Sequence, residues 1–340
     1  MNHTSEVSPD AVLDLMEAFR RSQALFTAVN LRIFERLKES PKSLQELASQ
    51  ALLPIVPLEQ LLTACQALGL VSRSNGTYQN TLLTSTYLTE SSPSNFLGYI
   101  RFSDMAVYRL WSHLTDAVRE GSNRWDQVFG GRHNFFENVY ADPSSLREFI
   151  GGMHGLGVIT SPNLVSAFDL SRFSHFVDLG GATGHLAIAA CRAWPQLKAT
   201  VYDLAPVCAI AEEHIAQAGL RDSVKTWVGD FFIDPWPEAD LFALGRILHD
   251  WNEERIHFLL KKCFERLPQW GGVLICEKLL NEGKDGPVSA ALQSLNMLVI
   301  TEGRERTASE YKALLQAAGF SQVEAKKTGK YLDVILAVKD

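Results

Sequence analysis

The run Phe176-Val-Asp-Leu-Gly-Gly-Ala-Thr-Gly-His185 sharply limits what this 340-residue chain can fold into. A short apolar stretch ends in Asp178, a glycine-rich turn follows, and a helical pattern opens. A second strand-like run, Ala199-Thr-Val-Tyr-Asp203, ends in another acid. Strand, tight glycine turn, helix and a second strand ending in Asp make a nucleoside-binding βαβ unit. The second acid is placed to accept hydrogen bonds from both ribose hydroxyls.

A dinucleotide fingerprint, G-x-G-x-x-G, needs its second glycine so that backbone can approach a pyrophosphate. Here that position is Ala182, and the pattern is D-x-G-x-x-x-G from Asp178 through Gly180 to Gly184. An acid at the strand end suits a cation better than a phosphate. S-adenosylmethionine carries a sulfonium and an ammonium and no phosphate. Glycine turns after strands also occur as plain structure, but Asp203 points to a nucleoside. Val228-Gly-Asp-Phe-Phe232 closes another strand pattern with an acid and two aromatics, suited to an adenine amine and ring.

The remainder of the chain supplies a frame. At 46% hydrophobic and 21% charged it is an ordinary globular sequence long enough for two domains. Its net charge of −7 argues against a nucleic-acid partner. Five scattered cysteines without a C-x-x-C pair predict reduced thiols in a cytoplasmic protein. The polar first ten residues predict no signal peptide, and no apolar run approaches the ~20 residues that span a bilayer, so no membrane partner is expected.

Residues 10–38 read as one helix, apolar on so much of its circumference that a partner chain is expected to cover it. Ser43-Leu-Gln-Glu46 is a capping box, Pro57–Leu68 a second helical pattern, and Asn75-Gly76 a hairpin turn: a winged-helix plan. The would-be recognition helix carries no Lys or Arg and the wing only Arg73, so DNA binding is not expected. Residues 95–168 read as aromatic-rich helices. There Gly151, Gly152, Gly155 and Gly157 fit either close helix packing or, slightly favoured, close approach to a ligand. From residue 172 strands alternate with helices, predicting an α/β domain with a seven-stranded, Rossmann-like sheet whose last two strands, 321–325 and 331–338, form an antiparallel hairpin. The expected domains are 1–105 (winged helix), 106–168 (connecting helices) and 169–340 (catalytic).

Methyl transfer from a sulfonium is an in-line displacement needing a nucleophile free of its proton. His249, after the strand run 240–245, stands at a strand carboxyl end, where open α/β sheets bind ligands. It can take the proton of a phenol as general base. Glu277 ends the next run and is expected beside it. Glu305 is the candidate second acid, against the alternative that Glu302-Gly-Arg-Glu-Arg306 is a solvated loop. Asp250 fits equally a substrate contact or a helix cap.

Val177-Asp-Leu-Gly-Gly181, Gly229-Asp-Phe-Phe232, Arg246-Ile-Leu-His-Asp-Trp251, Ser294-Leu-Asn-Met-Leu-Val299 and Thr301-Glu-Gly-Arg-Glu-Arg306 together carry a family resemblance over the whole chain. It resembles the class I S-adenosylmethionine-dependent O-methyltransferases of the caffeate/flavonoid type, nearest the acetylserotonin (hydroxyindole) branch. The resemblance implies a homodimer through the N-terminal domain and S-adenosylmethionine contacts at Gly180, Asp203, Asp230, Phe231 and Arg246, with Tyr140 as an aromatic contact. Asp178, Gly181, Leu204, Gly229 and Met153 are expected to complete that site, with S-adenosylhomocysteine as product and no metal. It further implies His249 as base oriented by Glu277 and Glu305, and substrate at Asp250 and Asn296. Phe135, Phe136, Trp251, Met297 and Ile300 are expected to line an acceptor pocket for a small, mostly apolar phenol or enol, with residues of a partner's first helix. Ile300 stands where the branch has a glutamine, which speaks against N-acetylserotonin itself; Gly157 stands where it has a tryptophan near the cofactor. N-methylation or other chemistry on the same cofactor site, a nicotinamide oxidoreductase and a winged-helix regulator are the alternatives.

Overall fold

The computed structural model describes residues 8–130, 139–140 and 142–340. It divides into two units, Met1–Met105 and Ala106–Asp340.

In the first unit the expected single helix over 10–38 is two, Asp10–Asn30 and Ile33–Arg36. Arg32 breaks it by adopting a left-handed conformation (φ 54°), which no glycine announces in the sequence. Ser43 and Glu46 close a capping box on the helix Leu44–Ala51, which meets Ile55–Ala67 at 113°. Strands Val71–Ser74 and Thr77–Asn80 turn at Asn75 (φ 50°) and Gly76 (φ 79°), both in the left-handed region that a tight hairpin of this type requires. Lys42–Ser43 adds a third short strand. The guanidinium of Arg73 lies over the Tyr78 ring, 5.0 Å from its centroid. Val12, Leu13, Leu15, Met16 and Phe19 of the first helix are exposed in the single chain. No single described helix is long and apolar enough to cross a membrane.

The second unit is built on seven strands: β1 (His175–Leu179), β2 (Lys198–Asp203), β3 (Val224–Val228), β4 (Leu241–Gly245), β5 (Gly272–Glu277), β6 (Gln322–Lys326) and β7 (Asp333–Val338). Their order is β3-β2-β1-β4-β5-β7-β6. The first five are parallel; β7 is inserted antiparallel to both β5 and β6, as the short Thr328-Gly-Lys330 connection demands. Alternation along β1 feeds two cores. Phe176 packs with Leu186, Ala187, Ala190 and Val201 on one face of the sheet, while Val177 and Leu179 pack with Phe242, Leu244, Leu259 and Leu315 on the other. Both faces are covered, so the buried interior of the central strands is mostly apolar, with acids at their carboxyl ends. There Asp178, Asp203 and Glu277 stand, buried, around the switch point between β1 and β4.

Of the four glycines in the helix Pro143–Val165, Gly157 belongs to close packing, contrary to the slightly favoured ligand reading. A Cβ there would lie 2.2 Å from the His185 ring, on the helix His185–Ala193.

Phe176 is fully buried in the central strand. Phe176→Ala is expected to destabilise the catalytic unit by ~3–5 kcal/mol, measured as a lowered denaturation midpoint with unchanged m-value.

Candidate active site

The β1 turn is shaped by what surrounds it. Gly180 (φ 67°) has no room for a side chain: a Cβ would meet Ile247 at 2.5 Å. One at Gly181 would overlap the Asp178 carboxylate at 2.8 Å. The turn is tied to β2 by the Gly180 N–H donating to the Tyr202 carbonyl (2.8 Å) and the Ala182 N–H donating to Asp203 Oδ2 (2.9 Å). Asp203 Oδ1 accepts from the Leu204 N–H (2.8 Å). Burial raises the Asp203 carboxyl to about 6, against those two backbone donors. Asp178 is raised to about 8 by burial and by the Asp203 charge, and its Oδ2 has no hydrogen-bond partner.

Gly229 must be small because Tyr202 lies against it: a Cβ would sit 2.5 Å from the ring. Asp230 then caps its own turn, Oδ1 accepting from the Phe232 N–H (2.8 Å), and Phe231 and Phe232 lie with centroids 4.8 Å apart. After β4, Arg246 takes a left-handed conformation (φ 59°), a strain tolerated mainly where the surroundings impose it. Its Nη1 points to Met153 Sδ (3.2 Å). Tyr140 packs against the cluster of Leu146, Ile150, Val207 and Ile210, as does Ala182. The Tyr140 hydroxyl is pushed well up by burial and by the Asp203 and Asp250 charges.

A 3₁₀ turn, Leu248–Asp250, holds His249, which is 3% exposed. Glu277 supports the turn from below, Oε1 accepting from the N–H groups of Ile247 (3.1 Å), Leu248 (3.0 Å) and His249 (3.3 Å). Its Oε2 lies 3.2 Å from His249 Nδ1. Glu305 Oε1 lies 2.7 Å from the same nitrogen. Where these acids are ionised, Nδ1 must carry the proton, which leaves Nε2 as the acceptor; that nitrogen is 3.7 Å from Asp250 Oδ1. The expectation that Glu302–Arg306 might be a solvated loop fails for its second half, since Glu305 and Arg306 are fully buried. The segment is drawn in by a short parallel pairing of Arg306 with Leu279 and by Arg306 Nη2 on Glu253 Oε1 (2.9 Å). Asp250 is not the helix cap: Asn252 Oδ1 accepts from the Arg255 N–H (3.0 Å).

Among the described residues His249, Glu277 and Glu305 are also the one group of His, Cys, Asp or Glu offering three possible metal-ligand atoms within 4.8 Å. Glu277 Oε1 is already engaged by three N–H donors, and both acids face one imidazole nitrogen, Glu305 through a hydrogen bond and Glu277 Oε2 without one.

Asn296, Met297 and Ile300 lie on the helix Val288–Ile300. Met297 and Ile300 are buried. Asn296 Oδ1 accepts from Trp111 Nε1 (2.7 Å) and the Ile300 carbonyl from Trp125 Nε1 (2.7 Å). The Trp251 ring is taken up by an edge contact with Phe232 (5.0 Å) and by Arg255 above it (4.6 Å). Phe135 and Phe136 lie outside the described residues.

The chain matches a model of the O-methyltransferase domain over residues 111–321 and one of the O-methyltransferase dimerisation domain over 13–90. The chain belongs to the O-methyltransferase family. Acetylserotonin O-methyltransferase of Gallus gallus is 38% identical over the full length of both chains. The 3-hydroxy-5-methyl-1-naphthoate 3-O-methyltransferase of Streptomyces sahachiroi is 37% identical over 93% of this chain and 90% of its own. Human N-acetylserotonin methyltransferase, solved in complex with S-adenosylmethionine, superposes with a TM-score of 0.93 at 36% identity, covering 100% of this chain and 99% of that one. The protein is an S-adenosylmethionine-dependent O-methyltransferase, which sets aside the nicotinamide and regulator readings. The site fits that cofactor on its own terms. The orphaned, buried Asp178 Oδ2 offers an acceptor to a cationic ligand, and the β1 turn has acids where a pyrophosphate would need cations.

Several residues of this O-methyltransferase site carry no sequence signal of their own. Trp111 and Trp125 read as core aromatics among many. His154 Nδ1 bonds Thr183 in the β1 turn (2.8 Å) and its ring lies tilted against His214 with centroids 3.9 Å apart, while His185 bonds Ser161 (2.9 Å). Burial holds His154 down at about 4 and His185 at about 3, so both are neutral at pH 7. Lys278, next to Glu277, is buried with its ammonium 3.6 Å from the Tyr331 ring centroid.

Burial raises the carboxyls of Glu277 and Glu305 from an ordinary 4.5 to about 8; Arg246, Lys278 and Arg306 oppose the rise at Glu305. Between those values the folded protein holds protons that the unfolded chain has released, so this pair's contribution to stability falls as pH rises from 4.5 to 8. Glu305→Gln keeps an acceptor for Nδ1–H and removes the buried charge. Its melting temperature is expected to match wild type near pH 5 and to exceed it by ~2–4 °C near pH 8, read from thermal melts across that range.

Proposed function

We propose that this O-methyltransferase methylates a phenolic or enolic hydroxyl on a small, mostly apolar molecule, with His249 Nε2 taking the hydroxyl proton. One observation carries this reading: Nδ1 lies 2.7 Å from Glu305 Oε1 and 3.2 Å from Glu277 Oε2, so the proton-accepting nitrogen is Nε2. A phenol titrates near ~10 and is protonated at neutral pH, so its oxygen needs a base as it attacks. S-adenosylmethionine, when bound, supplies the electrophilic methyl. The residues then divide the remaining work. Asp203 accepts from ribose hydroxyls, and Asp178 faces the positive end of the donor. The Gly180–Gly181 turn and Leu204 border the nucleoside, and Gly229, Asp230 and Phe231 receive the adenine. Arg246, Met153 and Tyr140 close the site towards the acceptor.

The paired acids stabilise the imidazolium formed at His249, and their buried, water-poor setting strengthens that effect. The acceptor class rests on the pocket residues. Ile300 is a buried alkyl group, and Met297 beside it is apolar. Asn296, with Oδ1 held by Trp111, has its N–H donors left to offer, and Asp250 offers an acceptor. Trp251 is taken as a further wall. Relatives act on acetylserotonin and a hydroxynaphthoate, both fused aromatic rings bearing a hydroxyl. That precedent supports a flat hydroxylated acceptor, with Ile300 favouring one lacking a polar side arm at that point.

The exposed apolar face of the Asp10–Asn30 helix, within the matched dimerisation domain, supports a homodimer built through the N-terminal unit. The five cysteines are buried and unpaired, which supports a reducing compartment such as the cytoplasm.

His249→Ala is expected to lower turnover ~10²–10⁴-fold while the affinity for S-adenosylmethionine is kept. Labelled-methyl transfer and calorimetry check the two halves, and near-normal turnover would remove the base from this account. Asp203→Ala is expected to do the opposite, weakening calorimetric binding of the donor by about 10-fold or more through loss of a charge-assisted hydrogen bond.

A further inference from the structure

Gly303 lies in the segment that brings Glu305 to His249, and its glycine has a spatial reason. A Cβ on Gly303 would fall 2.0 Å from the His249 carbonyl oxygen and 2.7 Å from the carbonyl carbons of His249 and Asp250. These are backbone atoms, so no side-chain rotation relieves the overlap. The backbone of Gly303 is not left-handed, so conformational freedom is not what the position requires.

The contact is held from both sides. Thr301 anchors the segment to the end of the Val288–Ile300 helix, with its N–H (2.7 Å) and Oγ1 (2.9 Å) donating to the Met297 carbonyl. Thr301 Oγ1 also accepts from the Gly303 N–H (3.3 Å). The Glu302 N–H donates to the Asp250 carbonyl (3.3 Å), and the Glu302 carboxylate takes Asn252 Nδ2 (3.1 Å). Beyond Gly303, the Glu305 N–H donates to Ser294 Oγ (3.3 Å), and Arg304 and Arg306 both reach Glu253. Main chain thus lies directly on main chain at one point, two residues before the carboxylate that meets Nδ1.

We propose that Gly303 is a positioning residue for methyl transfer: its missing side chain lets the acid-bearing segment lie against the His249–Asp250 backbone, and this close approach sets the 2.7 Å Nδ1–Glu305 contact. The inference rests on the reading of His249 as base. Any larger residue must push apart either the segment or the turn, and both movements separate the same two side chains. The segment also continues the helix carrying Asn296 and Ile300, so one close contact ties the acceptor wall to the base.

The test uses full-length protein with histidine labelled at nitrogen and S-adenosylhomocysteine bound. The wild type is expected to show a far-downfield Nδ1–H proton, assigned by its loss in His249→Gln. Gly303→Ala is expected to lose that signal or shift it upfield. It should keep the calorimetric affinity for S-adenosylmethionine within about 2-fold, and lose on the order of 10–10²-fold in kcat over a phenol panel including 3-hydroxy-5-methyl-1-naphthoate. The loss should not multiply with that of Glu305→Gln in the double variant, because both act on one contact. A Gly303→Ala protein with the wild-type proton signal, or with losses that multiply fully, overturns the proposal. If Gly303→Ala does not fold, Thr301→Val, which removes the hydroxyl holding Gly303, is read by the same criteria; a wild-type signal there also overturns it. The base reading fails separately, when His249→Gln turns over normally or the wild type lacks the signal.

Discussion

Two buried carboxylates meet one imidazole nitrogen, and much of the catalytic unit serves to hold them there. Each acid is individually unfavourable: burial raises both carboxyls to about 8, and each keeps one oxygen without a hydrogen-bond partner. Such groups persist only where surrounding structure leaves no alternative. Glu277 is fixed by the carboxyl end of β5 and by three backbone N–H groups of the His249 turn. Glu305 is fixed by a short strand pairing and by an ion cluster of Arg304, Arg306, Glu253, Glu310 and Lys284 at the edge of the fold. The exposed members of that cluster contribute little stability singly. Their effect is geometric, because they close a segment that lies against the His249–Asp250 backbone.

The cofactor end works by the same logic with different parts. Asp178 and Asp203 are buried acids at adjacent strand ends, restrained by the β1 turn, whose glycines are dictated by contact. Gly180 makes room for Ile247 from the histidine-bearing connection, and Gly229 makes room for Tyr202. The β1 turn and the His249-bearing connection therefore come close at Ile247. Methyl transfer depends on distance and alignment more than on bond polarisation, so rigid contact between the two turns is the appropriate device.

Much of this was readable from residues alone, for a physical reason. Parallel strands covered on both faces must be apolar, so an acid at a strand end, as at Asp178, Asp203 and Glu277, stands out against its run. The capping box at Ser43 likewise states its own geometry. What stayed hidden depends on contacts between distant segments. The left-handed break at Arg32 has no glycine to mark it. The burial of Glu305 and Arg306 beside Glu302, Gly303 and Arg304 contradicts local composition, and partners far away in sequence, Leu279 and Glu253, explain it. Gly157 read as possible ligand contact because nothing nearby in the chain reveals His185 lying on it. Trp111 and Trp125, which secure Asn296 and Ile300, look like any core aromatic.

The central claim is that His249 removes the acceptor's proton during methyl transfer. Its most direct test compares wild type with His249→Ala across phenols of graded acidity at fixed pH. If the imidazole serves as base, the deficit of the variant shrinks steadily as the phenol pKa falls and nearly vanishes for acceptors already ionised in solution. A deficit that stays constant across the series would contradict the account and leave His249 as a purely steric support.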